Sequence, residues 1–201
     1  MRKLITILAA CLYLLALSCK QKEKPQPAIE TTSPAVGIII ESSKDGVTDT
    51  ITKSIKAYIT SKIGPATFTI SYYSPAVRER IIWGGLVPFD QVWVTGAHSA
   101  TNIQSDHEFF IGNKAIPAGK YAIFTIPGKD DWTFILNKNW GQHLADNYSE
   151  AEDVLRLKIK PDTLLIVQER LRYVIDQLGQ KDGQIEMSWE KLKLVIPVRI
   201  P

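Results

Sequence analysis

The segment from Trp83 to Thr101 holds the residue types best suited to binding a small molecule. It is rich in glycine, aromatic and hydroxyl residues and lies between strand-like runs, so it reads as a loop that presents side chains on a rigid β-scaffold. Its candidate ligand-binding residues offer stacking faces or polar groups and are Trp83, Trp93, Thr95, His98 and Thr101. Two nearby cations, Arg78 and Arg80, extend the candidate site. The competing interpretation is that the glycines permit tight turns and the tryptophans fill the core.

His98 is also a weak candidate for a catalytic residue. An imidazole titrates near neutral pH and can serve as the general base of a hydrolase. The sequence has no G-x-S-x-G motif to hold a nucleophile, although catalytic triads are recognised by geometry rather than by order in the chain. Two hypotheses therefore stand. The first is a non-catalytic binding module for a small polar or glycan-like ligand or a protein partner, and the alternative is a hydrolase-type enzyme with His98 as general base.

The spacing of histidines and carboxylates predicts no metal site and no cofactor. His98, His107 and His143 form no H-x-H or H-E-x-x-H motif. On a strand, Asp106 and Glu108 would share one face and His107 would lie on the other. No glycine loop that could cradle a phosphate precedes a helix. No basic patch with interleaved aromatic residues is present either, so we expect no nucleic-acid partner.

The N-terminal segment predicts export and lipid attachment. Two cations precede an apolar run over residues 4–17, and a serine, a cysteine and a charged stretch follow it. This order is typical of a lipoprotein signal peptide, here over residues 1–18, with Cys19 as the acylated residue. Cys11 is the alternative, but cleavage there would leave a very short apolar region. The run is also too short to span a membrane, which needs about 20 apolar residues.

These features predict that the protein lies in the bacterial cell envelope. We expect it to be lipid-anchored and to face the periplasm, and Lys20 after the cysteine resembles outer-membrane sorting signals. Residues 19–37 combine charge, three prolines and Ser/Thr, so they read as a flexible tether. Without the two cations of the signal segment, the chain has 22 basic and 21 acidic residues, so its net charge is near zero. We therefore expect membrane contact through acyl chains rather than through a basic surface. Both cysteines precede residue 20, which leaves none for a disulfide beyond it.

Beyond the tether, apolar residues recur with a period of two, as half-buried antiparallel strands require. The clearest alternating runs are centred on Ile70, Leu157 and Met187. Turn-forming residues separate the runs at 63–65, 112–113, 127–131 and 180–183. Helix signals are limited to a capping box at 149–152 and a short stretch at 45–58, where Val and Thr residues favour extended structure. The prediction is one all-β domain over residues 38–201, an antiparallel β-sandwich or partly open barrel with one or two short helical turns.

The block from Tyr73 to Thr101 resembles the DUF2911 family, a set of exported bacterial proteins of unknown function. The resemblance continues through residues 116–128, 132–138, 153–156 and 188–190 and covers about residues 65 to 200. It implies no activity, because none is assigned to the family.

This chain departs from the family pattern at several positions near the candidate site. The family usually has arginine where this chain has Ser74 and Val94, glycine at the position of Glu79 and asparagine at that of His98. Two arginines are therefore absent from the segment most suited to a polar site. If family members bind an anion there with those guanidinium groups, the resemblance implies that this chain binds something else, or nothing.

Overall fold

The computed structural model describes residues 38–40, as backbone only, and residues 53–201. The predicted signal peptide over 1–18, the tether over 19–37 and both candidate acylation sites, Cys11 and Cys19, lie outside the described residues.

Alternating apolar and polar residues build strands along most of the described chain. In chain order they are β1 (Ile38–Ile40), β2 (Ile55–Ile63), β3 (Ala66–Ser74), β4 (Thr101–Ser105), β5 (Phe109–Ile111), β6 (Lys114–Ile116), β7 (Gly119–Ile126), β8 (Trp132–Asn137), β9 (Asp153–Ile159), β10 (Asp162–Gln177) and β11 (Asp182–Arg199). All pairings between them are antiparallel. One sheet has the order β1-β2-β3-β4-β7-β8-β9, and the other has the order β10-β11-β5-β6.

The two sheets pack face to face and do not close into a barrel. The inward side chains of β3 alternate strictly with half-buried ones, as the sequence predicts. Across the interface, the rings of Phe68 and Phe109 are 5.2 Å apart, and those of Tyr72 and Tyr173 are 4.9 Å apart. The sandwich prediction is therefore confirmed, and the barrel alternative is wrong.

The strands β7 and β8 are covered on both faces. Every residue of β8 is buried, and so are the five central residues of β7. Their inner face joins the main core, whereas Phe124 and Ile135 belong to a second, smaller apolar cluster with Val94 and Ala100. Because Val94 and Ala100 precede β4, this second cluster fixes the end of the β3–β4 connection against the outer face of the larger sheet.

The β3–β4 connection, residues 75–100, is held at both ends by backbone hydrogen bonds. Near its start, Val77 donates to the carbonyl of Glu169 (2.8 Å) and Leu171 donates to that of Pro75 (3.0 Å), which ties the connection to β10. Near its end, Trp93 exchanges two hydrogen bonds with Thr125 of β7 (2.8 and 3.0 Å). A loop of this length with two fixed ends is a rigid support for side chains.

Helical structure in the described residues is confined to one 3₁₀ turn, Glu150–Glu152. It lies in the predicted capping box, but the Ser149 side chain makes no capping hydrogen bond. Of the stretch at 45–58, where the sequence allows a short helix or extended structure, residues 55–58 begin β2 and residues 45–52 lie outside the described residues. In the described ranges, no helix is both long and apolar enough to cross a membrane.

Candidate functional site

The β3–β4 connection walls a cavity of about 590 Å³ between itself, β11 and the loop after β8. Its lining combines basic, aromatic and aliphatic side chains. The basic and imidazole groups are Lys53, Arg78, Arg80 and His98, the aromatic ones are Trp93 and Trp189, and the larger aliphatic ones are Leu86, Val87, Val94 and Leu144. Leu86 and Leu144 are exposed apolar residues at the rim. Among the described residues no acidic side chain lines the cavity.

Four tryptophans, which we call the tryptophan cluster, meet at the inner wall: Trp83, Trp93, Trp132 and Trp189. Trp93 and Trp189 stack with ring centroids 5.7 Å apart and planes 23° apart. Trp83 meets the other three edge to face, at 4.7 to 5.7 Å. Such geometries are favourable for aromatic rings, so the cluster is a rigid part of the core as well as a cavity wall.

The indole N–H groups of this cluster are not equally satisfied. Trp93 Nε1 donates to the carbonyl oxygen of Gly96 at 3.1 Å. By contrast, Trp83 Nε1 and Trp189 Nε1 are buried and have no hydrogen-bond partner among the described residues. Burying an unsatisfied donor costs about 1–3 kcal/mol. Trp83 and Trp189 therefore each carry a buried donor that no described residue uses.

The basic groups of the rim are close to one another. The Arg80 guanidinium donates to the carbonyls of Ala76 (2.6 Å) and Val77 (3.1 Å), which fixes its position. Burial and the charge of Arg78 lower the pKa of Arg80, and the opposing effect of Glu169 is smaller. The Glu169 carboxylate accepts the Arg78 backbone N–H at 2.9 Å and is not part of the lining. The lining of the cavity is thus basic, and the Glu169 carboxylate beside it offsets part of this charge.

The backbone around the cavity is strained. Arg78, His98 and Leu144 line the cavity with φ angles of 50°, 61° and 48°, and Glu79 and Thr95 next to them have φ angles of 57° and 51°. Residues other than glycine rarely adopt this left-handed conformation, and such strain often lies at functional sites. Glycine and asparagine are the residues that tolerate this conformation best.

Hydrogen bonds at Thr95 and Thr101 stabilise the strained turn. The Thr95 carbonyl accepts hydrogen bonds from Thr101 Oγ1 (3.0 Å) and from the Tyr173 hydroxyl (3.1 Å). Burial raises the pKa of Tyr173 well above its ordinary value, so this phenol stays protonated and donates. A Cβ on Gly96 would lie 2.7 Å from Thr101 Oγ1, so only glycine fits there without a shift.

His98 lacks the surroundings of a general base. Its ring packs edge to face on Tyr73 at 5.0 Å, and its carbonyl accepts the Leu144 N–H at 2.7 Å. A nucleophile–base pair would require a hydrogen bond between the His98 side chain and a hydroxyl or a carboxylate. In the part of the chain that the structure describes, the His98 side chain makes no such bond. The hydrolase hypothesis therefore gains no support from the geometry.

The other histidines are engaged locally. His107 Nδ1 lies 2.7 Å from Asp106 Oδ1, and His143 Nδ1 lies 3.2 Å from Asp146 Oδ2. Within the described ranges, no group of three or more His, Cys, Asp or Glu side chains is placed to hold a metal ion.

The structure brings together four of the seven predicted ligand-binding residues, Arg78, Arg80, Trp93 and His98. Trp83, Thr95 and Thr101 lie outside the lining and position it instead. Sequence reasoning missed Lys53, Leu144 and Trp189 as cavity residues. Trp189 carried a signal, since it belongs to an alternating strand, but that pattern indicates only that its side chain points inward.

The family model of DUF2911, described as a protein of unknown function, matches residues 54–198. No curated protein and no solved structure matches the chain. The match includes every cavity residue named above except Lys53.

Proposed function

This chain belongs to the DUF2911 family, whose function is unknown, and we propose that it is a lipid-anchored protein of the cell envelope that binds a small organic anion without transforming it. The binding site is the cavity beneath the β3–β4 connection. One observation carries the proposal: Lys53, Arg78 and Arg80 line a cavity of about 590 Å³ that has an aromatic wall and, among the described residues, no acidic side chain.

The lining suits a ligand with a charged end and an apolar body. Burial and, to a smaller extent, the charge of Arg78 lower the pKa of Arg80, and a carboxylate or similar anion at the basic rim would offset the repulsion between the two arginines. The apolar body would contact the Trp93 ring and the exposed side chains of Leu86 and Leu144. Cavities of about 300–1,000 Å³ with mostly apolar walls and a few polar groups are typical of small-molecule sites. The three basic side chains thus supply cations despite the two arginines that the chain lacks relative to the family pattern.

The proposed location rests on the sequence of the first nineteen residues. We propose that Cys19 carries the acyl chains and that residues 19–37 tether the sandwich to the periplasmic face of the outer membrane. Incorporation of radiolabelled palmitate in the parent bacterium tests this. Cys19→Ser should abolish labelling and Cys11→Ser should leave it unchanged, and the opposite result would move the anchor to Cys11.

A thermal-shift screen of small organic acids tests the binding proposal. A ligand at one hundred times its dissociation constant should stabilise the protein by about 2.7 kcal/mol. Lys53→Gln and Arg78→Gln should each weaken the affinity, and added salt should weaken it further, because rim charges are screened. Lys129→Gln is the matched control, since Lys129 lies in the β7–β8 turn and does not line the cavity. Equal effects of Lys53→Gln and Lys129→Gln would place binding elsewhere.

His98→Ala separates the binding function from the hydrolase alternative. Removing one ring from the cavity wall should cost a binding protein a few-fold in affinity. An enzyme that used His98 as general base would lose nearly all turnover. Turnover of any ester, amide or glycoside that disappears in His98→Ala would overturn the non-catalytic proposal.

A further inference from the structure

Four consecutive residues of β10 interrupt its pairing with β11. The register of this pair shifts between Thr163 and Gln168, and residues 164–167 face only Lys191 of the partner strand. Extra residues in one strand of a pair are left outside the ladder and bend that strand away from the sheet. These four are Leu, Leu, Ile and Val, and we call residues 164–167 the apolar bulge.

The apolar bulge projects into solvent. Leu165 is 102% exposed, Ile166 is 82% exposed and Val167 is 44% exposed. A groove of about 470 Å³ lies between the bulge and the side chains of Arg172 and Val174, so the bulge does not pack closely on its own sheet. Single exposed apolar residues are common on protein surfaces, but a continuous exposed apolar patch marks a surface that contacts something else.

The chemistry of the bulge suits a lipid surface better than a protein partner. Protein interfaces are centred on aromatic or arginine side chains that fill a pocket of the partner, and the bulge is convex and purely aliphatic. Acyl chains are fluid and need no matching shape. The charged neighbours of the bulge balance one another, with Lys160 and Lys191 against Asp162 and Glu190, so the contact is apolar rather than electrostatic.

The sequence before the sandwich keeps the bulge close to such a surface. Residues 19–37 can span at most about 65 Å from the proposed acylated cysteine, even when fully extended. That is about the length of β11, whose 18 residues rise about 60 Å. A tether of this length holds the sandwich at a high local concentration near the membrane, so a weak apolar contact is enough to orient it.

We propose that the apolar bulge is a membrane-docking site that inserts Leu165, Ile166 and Val167 into the interfacial layer of the bilayer. The insertion is shallow, because the unpaired backbone groups of the bulge need water. This inference goes beyond ligand binding at the cavity and rests on the lipid anchor of the proposed function. It also orients the cavity: Glu169, two residues after the bulge, accepts the backbone N–H groups of Val77 and Arg78, so docking holds the start of the β3–β4 connection near the lipid headgroups.

Site-directed fluorescence on the full, acylated protein tests the docking. An environment-sensitive dye is attached to Ile166→Cys, and the protein is reconstituted into phosphatidylethanolamine–phosphatidylglycerol vesicles that contain a spin-labelled quencher lipid. Leu178→Cys is the matched control, because Leu178 is also an exposed aliphatic residue and follows the opposite end of β10. The dye at position 166 should be quenched at least about threefold more strongly than the dye at position 178, since apolar interfacial contacts lie about 5–10 Å deep. The unmodified protein, treated with the same dye, measures labelling of the chain's own cysteines.

The anchor and the docking fail in different ways in this experiment. Equal quenching at the two positions, in protein that floats with the vesicles, would overturn the docking and leave the anchor intact. If the unmodified protein does not float with vesicles, the proposed anchor fails and the docking fails with it. A dye at position 166 that responds to protein concentration without vesicles would assign the bulge to a second copy of the chain and overturn the lipid assignment.

Replacing the neighbours of the dye separates insertion of the bulge from mere proximity to the membrane. With Leu165→Ser and Val167→Ser combined, quenching at position 166 should fall to the level at position 178, whereas Leu178→Ser should leave it unchanged. Both replaced side chains are solvent-exposed, so the fold should tolerate the change. Raised salt should not reduce the quenching, because an apolar contact is not screened. Quenching that survives the double replacement, or that disappears in salt, would overturn the proposal.

Discussion

Two polar regions of this molecule treat their buried groups in opposite ways. At the β8–β9 edge, a carboxylate, an amide, a phenol and a guanidinium satisfy one another, and we call this set the Asp153 network: Asn137, Tyr148, Asp153 and Arg156. Around the cavity, Arg78 and Arg80 repel each other, a buried indole has no partner among the described residues, and the backbone is strained. The polar groups of the first region satisfy one another, whereas the indole of the second is not satisfied in this way.

The Asp153 network is closely bonded. Asp153 Oδ1 accepts from Asn137 Nδ2, and Oδ2 accepts from the Tyr148 hydroxyl and from Arg156, each at 2.7 Å. The same amide of Asn137 also donates to the Ser149 carbonyl at 2.9 Å. Burial and the bond to Asp153 raise the pKa of Tyr148, and the same carboxylate raises the pKa of Arg156. The phenol of Tyr148 and the guanidinium of Arg156 therefore stay protonated and donate to the carboxylate.

The buried polar groups of the two regions affect stability in different ways. A satisfied network contributes to stability and fixes the geometry of the sheet edge where the β8–β9 register shifts. A buried donor without a partner and a strained backbone instead cost stability. The predictions below test this division, in order of decreasing effect on stability.

The largest effect is expected for Asp153→Ala. The Asp153 side chain is 4% exposed, and its loss removes one acceptor each from the amide, the phenol and the guanidinium. The free energy of unfolding should fall by about 3 kcal/mol, as when one partner of a buried charged pair is removed. Urea unfolding with an unchanged m-value measures it. Asp130→Ala, at an exposed turn position, should change stability by less than about 0.5 kcal/mol. If Asp153→Ala and Asp130→Ala lost equal stability, the Asp153 network would not be a stabilising set of hydrogen bonds.

A smaller loss is expected for Gly96→Ala, which disturbs the cavity region instead. The added methyl group meets Thr101 Oγ1 at 2.7 Å and the Tyr73 carbonyl at 3.2 Å, so the turn must shift. We expect a loss of about 1–3 kcal/mol and weaker anion binding. Gly141→Ala is the matched control, because no atom lies within 4 Å of its added Cβ, and it should be neutral or stabilising by up to about 1 kcal/mol. Unaltered stability in Gly96→Ala would show that the turn is not rigid.

The third prediction compares Trp93→Phe with Trp189→Phe in the ligand-free protein. Both remove an indole N–H from the same stacked pair, but only Trp93 uses it, in the bond to Gly96. Trp93→Phe should therefore lose about 1 kcal/mol more hydrogen-bond stabilisation than Trp189→Phe. Chemical denaturation of the two variants measures the difference. A larger loss in Trp189→Phe would mean that its donor is satisfied in the free protein.

The smallest effect concerns an exposed pair that belongs to neither region. The His107 ring and the Thr67 N–H, both at 2.7 Å, lower the pKa of Asp106 to about 2. A lowered folded-state pKa means that the stabilisation is complete above the unfolded value near pH 4 and disappears as pH falls through about 2. Thermal unfolding of Asp106→Asn should differ from the unmodified protein above pH 4 and converge with it near pH 2. Asp130→Asn should show no such convergence.

The sheets were predictable from sequence because apolar and polar residues alternate along a strand that is buried on one face. The runs centred on Ile70 and Met187 show this alternation, and both lie in the predicted strands. The prediction for Leu157 is also confirmed, in β9. In β8, by contrast, the second apolar cluster buries the outer face as well, and Phe134, Ile135 and Leu136 form a short continuous apolar run.

The site was predictable only in part. Arg78, Arg80, Trp93 and His98 lie close together in sequence, and the strand-to-strand connection holds them at one cavity. Lys53 and Trp189 reach the same cavity from distant parts of the chain, and no local pattern indicates that. An inward-facing side chain can meet either packed protein or a cavity, and periodicity does not distinguish the two. The left-handed backbone at Arg78 and His98 is also set by tertiary contacts rather than by residue type.

The tryptophan cluster also makes the cavity visible to optical spectroscopy. Four of the five tryptophans of the chain lie within 6.5 Å of a neighbouring indole, and the fifth, Trp140, lies apart beneath the Lys120 ammonium group. Indoles this close share their electronic excitation, so the near-ultraviolet circular dichroism of the protein should show a coupled signal from the cavity wall. Any molecule that enters the cavity or tilts one of those rings would change that signal, which gives the protein an intrinsic, label-free reporter of occupancy.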